Sequence, residues 1–144
     1  MCLRMVYAQN IQDMIDDFAF LDDWEDRYMH VIEMGRALTV LSDEEHNAEN
    51  KVNGCVSQVW VVTQASPAPT SLSYRGDSDA HIVKGLVAIV IEIFSGRTPQ
   101  EIIKIDAKEI ISRLGLSEHL SMQRANGLNA MITRIQHDAH TYTH

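Results

Sequence analysis

The sequence predicts an α+β fold, a small antiparallel β-sheet packed by helices. Three observations carry this. Val59 to Val62 is a β-branched and aromatic run, and Leu72 and Tyr74 alternate with Ser71, Ser73 and Arg75. The turn-forming stretch Ser66-Pro67-Ala68-Pro69-Thr70-Ser71 joins them, which makes an antiparallel hairpin. The segment from about Asp79 to Phe94 is apolar on nearly every side, with Lys84 and Glu92 its only charges after His81. A helix apolar all round is buried all round, so it is expected to lie across the hairpin as the central helix. Helical segments precede and follow the hairpin without strand–helix–strand alternation, which excludes a parallel sheet.

Each element has its own signals. Met1 to Gln9 has no clear period and is expected to fray. Asn10 is a candidate N-cap for a short helix with Ile11, Met14, Ile15 and Phe18 on one face. Leu21-Asp22-Asp23 separates it from a second helix, in which Trp24, Tyr28, Val31, Ile32, Gly35 and Leu38 fall three or four apart. Acids from Asp13 to Asp26 read as a solvated face, those nearest Trp24 also favoured by the helix dipole. Ser42 to Glu49 reads as a polar loop with about one helical turn. The region of Asn50 is expected to add a third strand, because a lone hairpin is marginal. Val59 to Val62 reads as covered on both faces. Gly76-Asp77-Ser78 is expected to end the hairpin, with Asp77 or Ser78 capping the central helix, and Gly96 to stop that helix. Thr98-Pro99-Gln100-Glu101 is a capping box with Pro at the first helical position. A further helix opens at Asp106 and closes at Gly115. The last runs from Ser121 to about Tyr142, with Ala125, Leu128, Ile132, Ile135, Ala139 and Tyr142 as its apolar repeat.

Composition bounds the function. The chain has 144 residues, which predicts one domain over 1–144. It carries a formal net charge of -8, which argues against nucleic acid, since phosphate binding needs clustered Lys and Arg. No apolar run approaches the roughly eighteen residues of a membrane helix, and Met1 to Ala8 is too short for a signal peptide. A cytoplasmic location without membrane contact is the expectation. Cys2 and Cys55 are the only cysteines. They form neither a C-x-x-C pair nor a disulfide framework, and both are expected to be free thiols.

The candidate chemistry centres on Asn50 to Val62. Asn53-Gly54 is a turn dipeptide, and Cys55 sits between that turn and a strand. Gly54 has no Cβ, so a partner or substrate can approach the thiol closely. The residues around it, Val52, Val56, Val59 and Trp60, are apolar. A buried, inert cysteine would fit the same spacing. His81 or His119 would serve as base for a Cys–His nucleophile, though nothing selects either. His137, His140 and His144 are spaced three and four apart, a spacing that suits zinc, but at a chain end and without further ligands. They read as surface histidines, and no metal site is expected. His30 and His46 show no ligand spacing. No glycine-rich phosphate loop is present. A single usable thiol excludes a cluster scaffold built within one chain on three or four thiolates.

Val52-Asn53-Gly54-Cys55-Val56-Ser57-Gln58-Val59-Trp60 resembles the active-site segment of the SufE family of cysteine desulfuration proteins. Gly76-Asp77-Ser78-Asp79-Ala80 with Ile82-Val83-Lys84-Gly85-Leu86 resembles a second block of that family. Leu114-Gly115-Leu116, His119-Leu120, Arg124, Asn126-Gly127-Leu128 and Ala130-Met131 resemble a third. The blocks keep the family order, and similarity runs from about Asp13 to Ile135. Ser57-Gln58 is more similar to SufE itself than to its CsdE paralogues. Met122 departs from the Pro often found there.

The resemblance implies an α+β fold like that of the IscU scaffold. It implies a partner, the PLP-dependent cysteine desulfurase SufS, which holds sulfur from free cysteine as a persulfide. Cys55 would accept that sulfur, stimulate the desulfurase and pass the sulfur to a downstream iron–sulfur scaffold. The chain itself would need no cofactor, PLP being the partner's, and would be an accessory protein rather than an independent enzyme. Gly54, Ser57, Gln58, Asp79 and Arg124 match positions near the active-site loop or governing it, and a homodimer stays open. Two other readings stand beside this one: a module that activates a desulfurase without carrying sulfur, and a hydrolytic nucleophile.

Overall fold

Apolar residues at helical spacing set the first two elements of the computed structural model, which describes residues 8–54, 57–67 and 71–142. The first helix, α1 (Gln9–Ala19), buries Ile11, Met14 and Phe18. Its N-cap is Ala8, without a side-chain hydrogen bond, so Asn10 is not the cap. Asn10 instead donates through Nδ2 to the Glu92 carbonyl at 2.7 Å and accepts from Arg97 at 2.9 Å. Those two long-range bonds draw it inside the helix. Gln9 belongs to α1, while the frayed end expected before it falls on residues 1–7, outside the described residues. Helix α2 (Trp24–Arg36) is capped by Asp23, whose carboxylate accepts the Glu25 N–H. Ser42 and Glu45 form a capping box around a single 3-10 turn, Asp43–Glu45.

The hairpin pairs β1 (Val59–Ala65) with β2 (Leu72–Ser78), Val59 opposite Ser78 and Ala65 opposite Leu72. Its core-facing residues, Val59, Val61, Leu72 and Tyr74, are buried. Trp60 and Val62 on the other face are only half-buried, so β1 is covered on one face rather than both. The hairpin ends at Ser78, within the stretch expected to end it, while Gly76 still pairs with Val61. A Cβ at residue 76 would lie 2.6 Å from Val87 Cγ1, so Gly76 marks the close approach of a helix to the strand. The expected third strand is a single antiparallel bridge, Lys51 to Trp60, because the chain turns away at Asn53-Gly54.

Helix α3 (His81–Phe94) is the central helix, with Leu86, Val87, Ile89, Val90, Ile93 and Phe94 buried. It starts two residues later than expected, and neither Asp77 nor Ser78 caps it; its N-cap is Ala80, with no side-chain hydrogen bond. Ser78 Oγ spends its proton on the Gln58 carbonyl at 2.7 Å. Helix α2 crosses α3 at Gly35 and Gly85, where a Cβ on Gly85 would lie 2.2 Å from the Val31 carbonyl oxygen. The helix ends at Ser95, followed by Gly96 with φ 82°.

Thr98 and Glu101 make the expected capping box of α4 (Pro99–Lys104). Asp106 caps α5 (Ala107–Arg113), and Ser121 caps α6 (Met122–His140) by accepting the Arg124 N–H at 3.2 Å. Gln136 of α6 donates to the carbonyls of Ile102 and Ile105 at 3.1 and 3.0 Å, which ties α6 to the end of α4. One hydrophobic cluster joins α1, α3, both strands, α4, α5 and α6. Among the described residues no helix is long and apolar enough to cross a membrane.

Candidate functional site

The segment that contains Cys55 is tied down on both sides. Cys55 and Val56 themselves lie outside the described residues. On the N-terminal side, the Asn50 carbonyl accepts from Val61 N–H and Val52 N–H donates to the Val59 carbonyl, both at 2.8 Å. Val52 is buried. Arg134 of α6 reaches the carbonyls of Lys51, at 3.1 Å, and of Glu49. Gly54 has φ 93°, a conformation that L side chains avoid, and this turn carries the chain past Ala130 of α6. A Cβ at residue 54 would sit 3.4 Å from that of Ala130. The sequence-predicted turn is therefore present where expected.

On the C-terminal side, Gln58 is fixed through both backbone groups. Its N–H donates to Asp79 Oδ1 at 3.0 Å, and its carbonyl accepts from Ser78 Oγ at 2.7 Å and from Asp79 N–H at 3.3 Å. The structure thus brings together Gln58 and Asp79. Ser78, buried at the end of β2, was not singled out in the sequence because it reads as a helix cap.

Ser57 and Arg124 share a cavity of about 340 Å³, whose walls include Ile82, Val83, Leu86 and Met131. The cavity lies between the first turns of α3 and α6. Arg124 is half-buried and brings a positive charge to a pocket lined by both apolar and polar side chains. The guanidinium favours a thiolate or another anion beside it, while the apolar walls oppose one. On the other side of the turn, Asn53 and Gly54 border a second hollow of about 480 Å³ with Asn126, Thr133, Arg134 and His137. Gly54 borders this hollow and Ser57 the first cavity.

A third set of contacts, not foreseen in the sequence, ties the Ser42–Asn50 segment to β2 and Trp60. His46 Nε2 is 2.8 Å from Asp77 Oδ2, and its Nδ1 is 2.8 Å from the Ser42 carbonyl. A carbonyl and a carboxylate both only accept, so the two contacts are satisfied together only by the doubly protonated ring. The hydrogen bond to Asp77 accordingly raises the His46 pKa, with smaller help from Ser42 and Asp43 against desolvation. Burial pushes Asp77 upward, but hydrogen bonds from His46 and from Ser78 N–H and the Lys84 charge leave it below its ordinary value. Arg75 Nη1 donates to Glu45 Oε1 at 2.9 Å. That bond leads the causes that bring the Glu45 carboxyl down to about 2. The His46 ring also packs edge-on against Trp60, centroids 4.7 Å apart.

The other histidines are placed as follows. His119 stacks on Trp24 with ring centroids 4.2 Å apart, His30 packs edge-on against Phe18, and His81 is exposed at the start of α3. Among the described residues no three His, Cys, Asp or Glu side chains group as metal ligands. His137 and His140 lie in the last turns of α6, and His144 lies outside the described residues.

Comparison with known proteins identifies the family. Residues 12–139 match the family described as SufE, Fe-S metabolism associated domain. An uncharacterized SufE-like protein of Rhizobium etli is 54% identical over 136 residues, covering 93% of this chain and 92% of its own length. A second, from Rhizobium meliloti, is 54% identical over 132 residues, covering 90% and 94%. The solution structure of a hypothetical protein from Thermus thermophilus superposes with TM-score 0.73 at 17% identity, over 94% of this chain and 97% of that one. At that identity the likeness concerns the fold alone. With a family match running from α1 to the last turn of α6 and relatives matched over nearly their whole length, the chain belongs to the SufE family.

Proposed function

We propose that this protein is a sulfur acceptor and carrier that works on Cys55, with the whole chain, 1–144, as one SufE-like domain. Its partner is a PLP-dependent cysteine desulfurase of the SufS type, and it acts as SufE itself rather than as the CsdE paralogue, on the strength of Ser57-Gln58. The Cys55 thiolate attacks the terminal sulfur of the desulfurase persulfide. A new S–S bond forms between Cys55 Sγ and that sulfur, the old S–S bond breaks, and the desulfurase cysteine leaves as thiolate. The proton on the terminal sulfur travels with it, and no external oxidant or reductant is needed. The persulfide is then passed to iron–sulfur assembly in the cytoplasm.

The observation that carries this reading is the pairing of Ser57 with Arg124 around one cavity. Chain connectivity alone keeps the Cα of Cys55 within about 7 Å of the Cα of Ser57. An unperturbed thiol with pKa about 8.5 is only a few per cent ionised at neutral pH, and a nearby guanidinium raises that fraction. Aliphatic walls shield a persulfide from reductants between encounters. Gly54, Gln58 and Asp79 set the ends of the segment.

The test is desulfurase turnover with and without this protein, comparing wild type with Cys55→Ser. The hydroxyl is a poor nucleophile without a base, so the variant should give no stimulation. Stimulation equal to wild type would replace the carrier by an activating module.

A further inference from the structure

We infer that Arg134 is a positioning residue for Cys55, an inference that rests on the carrier reading for its consequence but not for its geometry. Lys51 N–H closes a turn onto the Asn47 carbonyl at 3.1 Å, and the chain leaves that turn through Lys51 and Val52 alongside β1. Asn50 O and Val52 N–H face β1 and pair with Val61 and Val59. The carbonyls of Glu49 and Lys51 face away from β1, and there Arg134 receives both, Nη2 on Glu49 and Nη1 on Lys51 at 3.1 Å. The guanidinium thus joins the turn residue Glu49 to the bridge residue Lys51. Its Nε donates to Asp138 Oδ2 at 2.8 Å, one turn further along α6, which fixes the plane of the fork. These bonds hold the direction of the segment into the Asn53-Gly54 turn.

The pattern of bonds separates positioning from mere stability. An i,i+4 ion pair with Asp138 needs one N–H and is worth little when partly exposed. The other two donors reach 83 and 85 residues back along the chain, to the residues just before the turn that precedes Cys55. A lysine would keep the charge beside Asp138, but it has no planar fork to span two carbonyls and a carboxylate at once.

The test uses the full chain with Arg134→Lys and Arg134→Gln. Amide exchange of Val52 and Val61 should rise about tenfold in both variants, while the amides of Ile89 and Val90 in α3 stay within about twofold, as for local opening. With a cysteine desulfurase and free cysteine, the maximal rate of sulfur uptake should fall about tenfold and the half-saturating desulfurase concentration should change less than twofold. Uniform acceleration of exchange, unchanged exchange at Val52 and Val61, or wild-type behaviour of Arg134→Lys would overturn the inference. If wild type itself takes up no sulfur, the carrier reading fails, and the exchange pattern together with iodoacetamide labelling of Cys55 decides the clamp. Labelling several-fold faster in both variants then supports it, and unchanged labelling overturns it.

Discussion

Asp79 Oδ1 accepts the backbone N–H of Gln58 at 3.0 Å, while Asp79 N–H returns a bond to the Gln58 carbonyl at 3.3 Å. Three residues after Cys55, the chain is therefore fixed to the end of β2. Asp79 is exposed, so Asp79→Ala should cost at most about 1 kcal/mol of stability. It should nonetheless speed labelling of Cys55 by iodoacetamide several-fold, whereas Asp79→Asn, which keeps the accepting oxygen, should label as wild type. Denaturant melts and labelling rates check both halves.

The His46–Asp77 and Glu45–Arg75 pairs make the Ser42–Asn50 segment pH-sensitive in two directions. His46 lies above its ordinary 6.5, so its contribution is complete below pH 6.5 and is lost as pH rises through the folded value. Glu45 falls from 4.5 to about 2, so its contribution is present above pH 4.5 and is lost as pH falls toward 2. Asp77, also lowered, acts on the acidic side. Protection factors at Asn50 and Val52 should therefore be greatest between about pH 4.5 and 6.5. In His46→Gln the decline above that window should disappear, and a decline that survives would remove His46 as its cause.

Much of this was legible in the sequence because the signals are local. The Asn53-Gly54 turn, the Thr98–Glu101 capping box and the all-apolar α3 each carry their physics within a few residues. The misreadings arose where a distant partner decides. Asn10 is a good cap by propensity, but Glu92 and Arg97 claim it. Nothing local to Gly76 tells that α3 lies against it. Arg134 and His46 look like ordinary surface residues, since their partners lie some eighty and thirty positions away. Gly54 and Cys55 stand out from the turn-to-strand joint itself, whereas Ser57, Gln58, Asp79 and Arg124 come from the family blocks rather than from spacing.

The α2–α3 crossing should be intolerant of any side chain. A Cβ on Gly85 would lie 2.2 Å from a backbone oxygen of Val31, which cannot rotate away. Gly85→Ala should cost about 1–3 kcal/mol or more through overpacking, despite alanine's better helix propensity. Thermal unfolding measures it, and a neutral or raised Tm contradicts the backbone contact.

Arg124→Ala should raise the Cys55 pKa and reduce the thiolate fraction at neutral pH. Stability should change little, because the side chain is only half-buried at a helix start. The pH profile of Cys55 alkylation reads the pKa directly. An unchanged profile, with unchanged sulfur uptake, takes Arg124 out of the site.

The carrier reading turns on whether sulfur becomes covalently attached to Cys55. Wild type, Cys2→Ser and Cys55→Ser are each mixed with a cysteine desulfurase, PLP and free cysteine, and the intact proteins and their peptides are weighed. Wild type and Cys2→Ser should gain the mass of one or more sulfur atoms on the peptide that holds Cys55, and lose it on reduction. Cys55→Ser should gain none. Sulfur found on another residue, or no gain by wild type while it still stimulates the desulfurase, would contradict the account.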